Sequence, residues 1–138
     1  MEHTGPYALY ETDPKKESGK GVKITFGSFW FQILRAGASN PKFLAASIQH
    51  TKRFEEAVQQ KSMTEEQANE LMAEVYADSI IIDWGGVVDR KGVPMSYTRD
   101  NVVTLLCDLP ELAAKIRAKA EGIALFRMEA NKKAVKKQ

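Results

Sequence analysis

Between Val22 and Ile33 the chain reads VKITFGSFWFQI, with large apolar side chains at alternate positions on both sides of Gly27-Ser28. That period of two predicts a pair of short strands joined by a type II′ turn, because Gly27 can take the positive φ that such a turn demands. The turn sets the register. Phe26 opposes Phe29, Ile24 opposes Phe31 and Val22 opposes Ile33, so one face is wholly apolar. Thr25 opposes Trp30 and Lys23 opposes Gln32 on the other. A lone hairpin is marginal in water, so the remainder of the chain is expected to lay helices over the apolar face.

The pattern after Arg35 supplies those helices. Asn40 can cap one and Pro41 suits its first position, where the missing N–H would have had no helical partner. From Phe43 to Val58 the residues Phe43, Leu44, Ser47, Ile48, Thr51, Phe54 and Val58 fall on one arc, and Lys42, Gln49, Lys52, Arg53, Glu56 and Gln60 fall opposite. This predicts one amphipathic helix with the first arc in the core and His50 on the polar side. A second helix is expected near Thr64, where Ser62 or Thr64 caps and Thr64 and Gln67 have capping-box spacing, with a stripe of Ala68, Leu71, Met72, Val75, Tyr76, Ser79 and Ile82. Ile80-Ile81-Ile82 makes its end apolar nearly all round, which predicts a deeply buried terminus closed by Trp84 and stopped at Gly85-Gly86. A loop turned at Lys91-Gly92 leads to Thr98, the expected cap of a short helix carrying Val102, Val103, Leu105 and Leu106. Pro110 opens the last helix, with Leu112, Ile116, Ala120, Ile123 and Ala130 on one stripe and Phe126 at its edge.

Ahead of the hairpin, residues 1–21 are polar and punctuated by Gly5-Pro6 and Asp13-Pro14, and Lys15 to Gly21 reads as a mobile loop. Tyr7 to Thr12 can add a third strand. The expected architecture is therefore α+β, a single domain over 1–138. It comprises a flexible or weakly ordered segment at 1–21, a β-hairpin at 22–35 to which Tyr7 to Thr12 can add the third strand, a helical body of about four helices at 41–131 and a basic tail at 132–138.

Composition narrows the chemistry more than the fold. The 138 residues are 43% hydrophobic and 28% charged, the balance of an ordinary globular domain. The lone Cys107 has no intrachain partner and is expected to be a small buried apolar residue in VVTLLCDL. No apolar run approaches the ~20 residues of a membrane span, and the N-terminus lacks the basic and apolar regions of a signal peptide, so a cytoplasmic protein is expected. His3 and His50 have no cysteine or carboxylate at metal-ligand spacing, and Asp78, Asp83 and Asp89 do not form an acidic cluster. The glycines match neither a phosphate loop nor a dinucleotide fingerprint. No catalytic, cofactor or metal site is expected, and the chain reads as a non-enzyme.

Two features point to binding. Trp30 projects from the polar face of the hairpin beside Thr25 and Gln32, with Arg35 at the strand end. An outward tryptophan is either an interface anchor or the underside of a second layer, such as the N-terminal segment. The net charge is only +2, but Lys132, Lys133, Lys136 and Lys137 crowd the C-terminus. They can contact phosphates, yet no aromatics follow Phe126, which argues against a nucleic-acid reader and for a solvated end. The candidate partner-binding residues are Trp30, Thr25, Gln32, Arg35, Lys132 and Lys133.

The ordered landmarks carry a family resemblance. Gly21-Val22 leads into the hairpin, followed by Phe31-Gln32-Ile33-Leu34-Arg35-Ala36-Gly37, Asn40 and Phe43. Trp84, Val88-Asp89, Gly92-Val93-Pro94, Tyr97-Thr98, Asn101, Leu105-Leu106, Leu109-Pro110 and Leu112 then come in order. Over roughly 21–128 the chain resembles the tail assembly chaperones of long-tailed bacteriophages. The resemblance implies a non-enzymatic protein of the host cell cytoplasm that binds the tape measure protein, keeps its hydrophobic helices soluble and recruits tail tube subunits, with self-association open. It carries over no catalytic residues. The competing readings are a structural tail or tail-completion protein of the virion and a small nucleic-acid-binding module.

Overall fold

The computed structural model describes residues 5–128. Strands β1 (Val22–Phe26) and β2 (Phe29–Ile33) form the expected hairpin, with every cross-strand pair in the register derived from the turn. Gly27 has a φ of 68°, the left-handed value that the turn requires.

A third strand is present, but not where the sequence pattern places it. Pro6–Tyr10 is a short helix, α1, and Thr12 makes only an isolated bridge to Arg127. The third strand is β3 (Ile81–Gly85), antiparallel to β2 in the order β1-β2-β3. The helix expected to run through Ile82 ends at Ser79 instead. Three consecutive β-branched isoleucines favour extended backbone, and a short apolar run cannot be told from a buried helix end by periodicity. A register shift between Gln32 and Ile33 sets Ile81 opposite Ile33 and Trp84 opposite Phe31.

The inner face of the sheet holds the buried Ile24, Phe31, Ile33, Ile81 and Trp84. The Phe26 and Phe29 rings stack at 5.5 Å, and Phe31 meets Trp84 edge-on at 6.0 Å. Against this core lie α2 (Pro41–Thr51), α4 (Glu65–Ser79), α5 (Arg99–Asp108) and α6 (Pro110–Glu121), while the short α3 (Glu55–Gln59) buries no residue. The four longer helices start where the caps predict. Asn40 Oδ1 accepts from the Lys42 N–H at 3.2 Å, Thr64 and Gln67 complete a capping box, and Thr98 Oγ1 accepts from the Asn101 N–H at 3.1 Å. Pro110 occupies the first turn of α6.

Three helical expectations change. The single helix over Phe43 to Val58 is broken by a 3-10 turn at Lys52–Phe54 before α3. The last helix stops at Glu121, because Gly122 turns extended (φ −73°, ψ 152°). A 3-10 turn at Ala124–Phe126 then folds Phe126 into full burial, and Ala130 lies outside the described residues. Cys107 is exposed. Val102 and Leu106 of α5 face the core, and one further residue turns the thiol away from it.

The segment expected as a mobile loop is anchored. Lys15–Gly19 forms a helical turn of π type that buries Glu17. The Glu17 carboxylate accepts from Thr12 Oγ1, from Ser39 Oγ at 2.5 Å and from Arg35 Nη1 at 3.1 Å. The Arg35 N–H donates to the Glu17 carbonyl at 2.9 Å, so the N-terminal segment is tied to the exit of β2.

Candidate interaction surface

The side that α2 turns to the core is set by polar residues. Asn40 is fully buried, and its Nδ2 donates to the Arg35 carbonyl at 3.0 Å and the Ser79 carbonyl at 3.2 Å. Three turns on, His50 is 6% exposed, with Nε2 2.5 Å from Asp78 Oδ2 and Nδ1 3.8 Å from Glu74 Oε2. Between them Ala46 is buried, and Phe43 meets Tyr76 edge-on at 6.5 Å. Both ends of α2 are thus pinned to α4 by hydrogen bonds that lose their partners if the helix rotates. A buried polar group left unpaired costs about 1–3 kcal/mol.

Two arginines complete the network around His50. Arg53, in the turn after α2, pairs with Glu74 and donates from Nη1 to Glu74 Oε1 at 3.1 Å. Arg99, at the start of α5, donates from Nε to Asp78 Oδ1 at 2.6 Å and from Nη2 to Asp78 Oδ2 at 3.3 Å. Burial opposes the charge on Asp78, but the hydrogen bonds from Arg99 and His50 outweigh it and hold the carboxyl below its usual range.

This setting overturns the expected burial of α2. His50, assigned to the polar side, faces the core, and the two aliphatic residues Leu44 and Ile48 of the helix face water while Phe43 stays packed on the core. Leu44 is 44% and Ile48 62% exposed. Val58 on α3 is exposed as well. A groove beside Ile48 is lined by Ser47, Thr51, Lys52 and Glu55. The apolar arc could not decide the matter, since nothing in the sequence names Asp78 as the partner of His50. Leu44 and Ile48, one turn apart on α2, are with Val58 surface residues that the sequence pattern assigns to the core.

The residues expected to bind partners are dispersed. Thr25, Trp30 and Gln32 share the outer face of the sheet. Trp30 is half-buried because its indole lies across Gly85, where a Cβ would sit 2.4 Å from Nε1. Lys23 Nζ is 4.3 Å from the centre of the indole. Gln32 Nε2 donates to the Lys20 carbonyl at 2.7 Å. Arg35 is elsewhere, paired with Glu17 and 5.9 Å from the Phe126 ring. Lys132 and Lys133 lie outside the described residues. Burial, then Glu70 and Asp108, push the Cys107 thiol up, away from nucleophilic character.

Among the described residues no group of three or more His, Cys, Asp or Glu side chains is placed to hold a metal ion. None of their helices is long and apolar enough to cross a membrane. The family model described as YdaY prophage protein matches residues 38–137, well over half of the chain. No curated protein and no solved structure matches. The chain belongs to the YdaY prophage protein family and is phage-derived.

Proposed function

We propose that this YdaY-family chain is a tail assembly chaperone that binds the tape measure protein, keeps it soluble and helps to recruit tail tube subunits. The observation that carries the reading is the outward placement of Leu44 and Ile48 on α2. An amphipathic helix docks on another through apolar side chains three or four residues apart, and Leu44 and Ile48 offer that spacing to an incoming helix. The tethers behind them keep α2 from turning this stripe inward, so the surface stays available without unfolding. A small apolar contact releases its partner readily, as a chaperone that leaves the finished assembly must. The role is non-catalytic and is carried out in the host cytoplasm. The ordered resemblance over 21–128 supports the same reading.

Co-expression with the tape measure protein of the same phage tests it. The tape measure protein is expected in the soluble fraction, bound to this chain. An insoluble tape measure protein with no co-purification contradicts the reading, as does recovery of this chain in many copies from purified particles, which would make it a structural tail protein.

A further inference from the structure

We propose that the face of the three-stranded sheet left uncovered by the described residues is a self-association surface that seats a second copy of this chain. The strand register places six side-chain positions on that face in two rows. Lys23, Gln32 and Asp83 form one, and Thr25, Trp30 and Gly85 the other. Lys23, Thr25 and Asp83 are exposed, and Trp30, Gln32 and Gly85 are half-buried. The face is filled on its β3 side, because the Trp30 indole reaches from β2 over the bare backbone of Gly85, the arrangement by which an aromatic side chain shields a strand glycine.

The charges are complementary to themselves. Lys23 stands on edge strand β1 and Asp83 on edge strand β3, about 10 Å apart across two strand spacings, with neutral Gln32 between them. A two-fold axis parallel to the strands and above β2 lays a second face on the first, row upon row, with β1 over the other copy's β3. Each Lys23, whose ammonium rests 4.3 Å from its own Trp30 ring in the single copy, then swings to the Asp83 of the second copy, Gln32 meets Gln32, and each indole, lying over Gly85, faces Thr25 on the β1 of the second copy. The same patch serves both copies, as an isologous interface requires, and sheets packed in this way lie about 10 Å apart. Asp83 uses Oδ1 on the Trp84 N–H at 2.8 Å and has its second oxygen for the incoming ammonium. Three strands of five residues cover only about 14 by 17 Å. That is far below the ~800 Å² per partner of a standard interface, so the dimer is weak and exchanges quickly. This inference does not depend on the reading of α2.

Sedimentation equilibrium of the full chain up to about 0.5 mM, far above working concentrations for a weak interface, tests it. The wild type is expected to pass from monomer to dimer. Lys23→Glu and Asp83→Lys each set like charges against each other at both contacts, and each is expected to weaken dimerisation at least tenfold. An equimolar mixture of the two variants restores both opposite-charge contacts and is expected to form a one-to-one heterodimer. The doubly substituted chain is expected to dimerise with itself. Both positions are exposed, and circular dichroism checks that the fold is intact. A wild type that stays monomeric, a dimer indifferent to both single substitutions, or a mixture that does not associate overturns the proposal.

Discussion

His50 Nε2 lies 2.5 Å from Asp78 Oδ2, and this contact, with Asn40 at the other end of α2, decides which side of the helix meets water. Replacing His50 by Ala removes the tether and leaves Glu74 and Asp78 without their α2 partner. The expected loss of stability is about 1–3 kcal/mol, because Asp78 is partly solvated and still holds Arg99. Urea unfolding checks this. A double-mutant cycle of His50→Ala and Asp78→Ala is expected to give a coupling of about 0.5–3 kcal/mol, the range for residues in one network.

The same network predicts an acid limb. Asp78 binds its proton more weakly in the folded chain than in the unfolded one, since Arg99 and His50 hold its carboxylate. Its contribution is therefore present above the ordinary carboxyl range, near pH 4, and is lost as pH falls through the lower folded value. The urea midpoint of the wild type is expected to fall on acidification over this range. In Asp78→Asn it starts lower at neutral pH and falls less steeply. Equal slopes in the two proteins would remove Asp78 from the account.

At the junction after β3 the backbone itself limits substitution. Gly86 has a φ of 72°, and a Cβ there would lie 2.2 Å from the Ser28 carbonyl oxygen. Gly86→Ala is expected to destabilise by about 1–3 kcal/mol through strain at that φ and displacement of the hairpin turn. At Gly85 the three atoms nearest to an added Cβ all belong to the Trp30 side chain. The cost of Gly85→Ala should fall when Trp30→Ala is added, a rescue that Gly86→Ala does not show. Thermal melts of the single and double variants distinguish the two glycines.

Local signals carried most of the fold. The Gly27 turn dictated the β1–β2 register, and Asn40, Thr64 and Thr98 each stand where a helix begins. These are short-range effects, in which a residue acts on neighbours two or three positions away. What stayed hidden depends on pairs distant in the chain. β3 exists because Phe31 and Ile33 were free to pair with Trp84 and Ile81, and Glu17 is buried because Arg35 and Ser39 reach it. The candidate surface was illegible for the same reason. An apolar arc is ordinarily core, and only the contact of His50 with Asp78, 28 residues away, turns Leu44 and Ile48 outward. Trp30 was correctly placed on the outer sheet face, but its packing on Gly85 required the position of β3.

The most direct test of the account replaces both Leu44 and Ile48 by Glu and measures capture of the tape measure protein. Both side chains face water, so the thermal midpoint is expected to stay near that of the wild type, as surface substitutions generally leave stability within about 0.5 kcal/mol. Co-purification of the tape measure protein is expected to fall at least tenfold and its soluble yield to drop with it. A variant that folds normally and still captures the tape measure protein at the wild-type level would contradict the claim that the outward stripe of α2 is the chaperone surface.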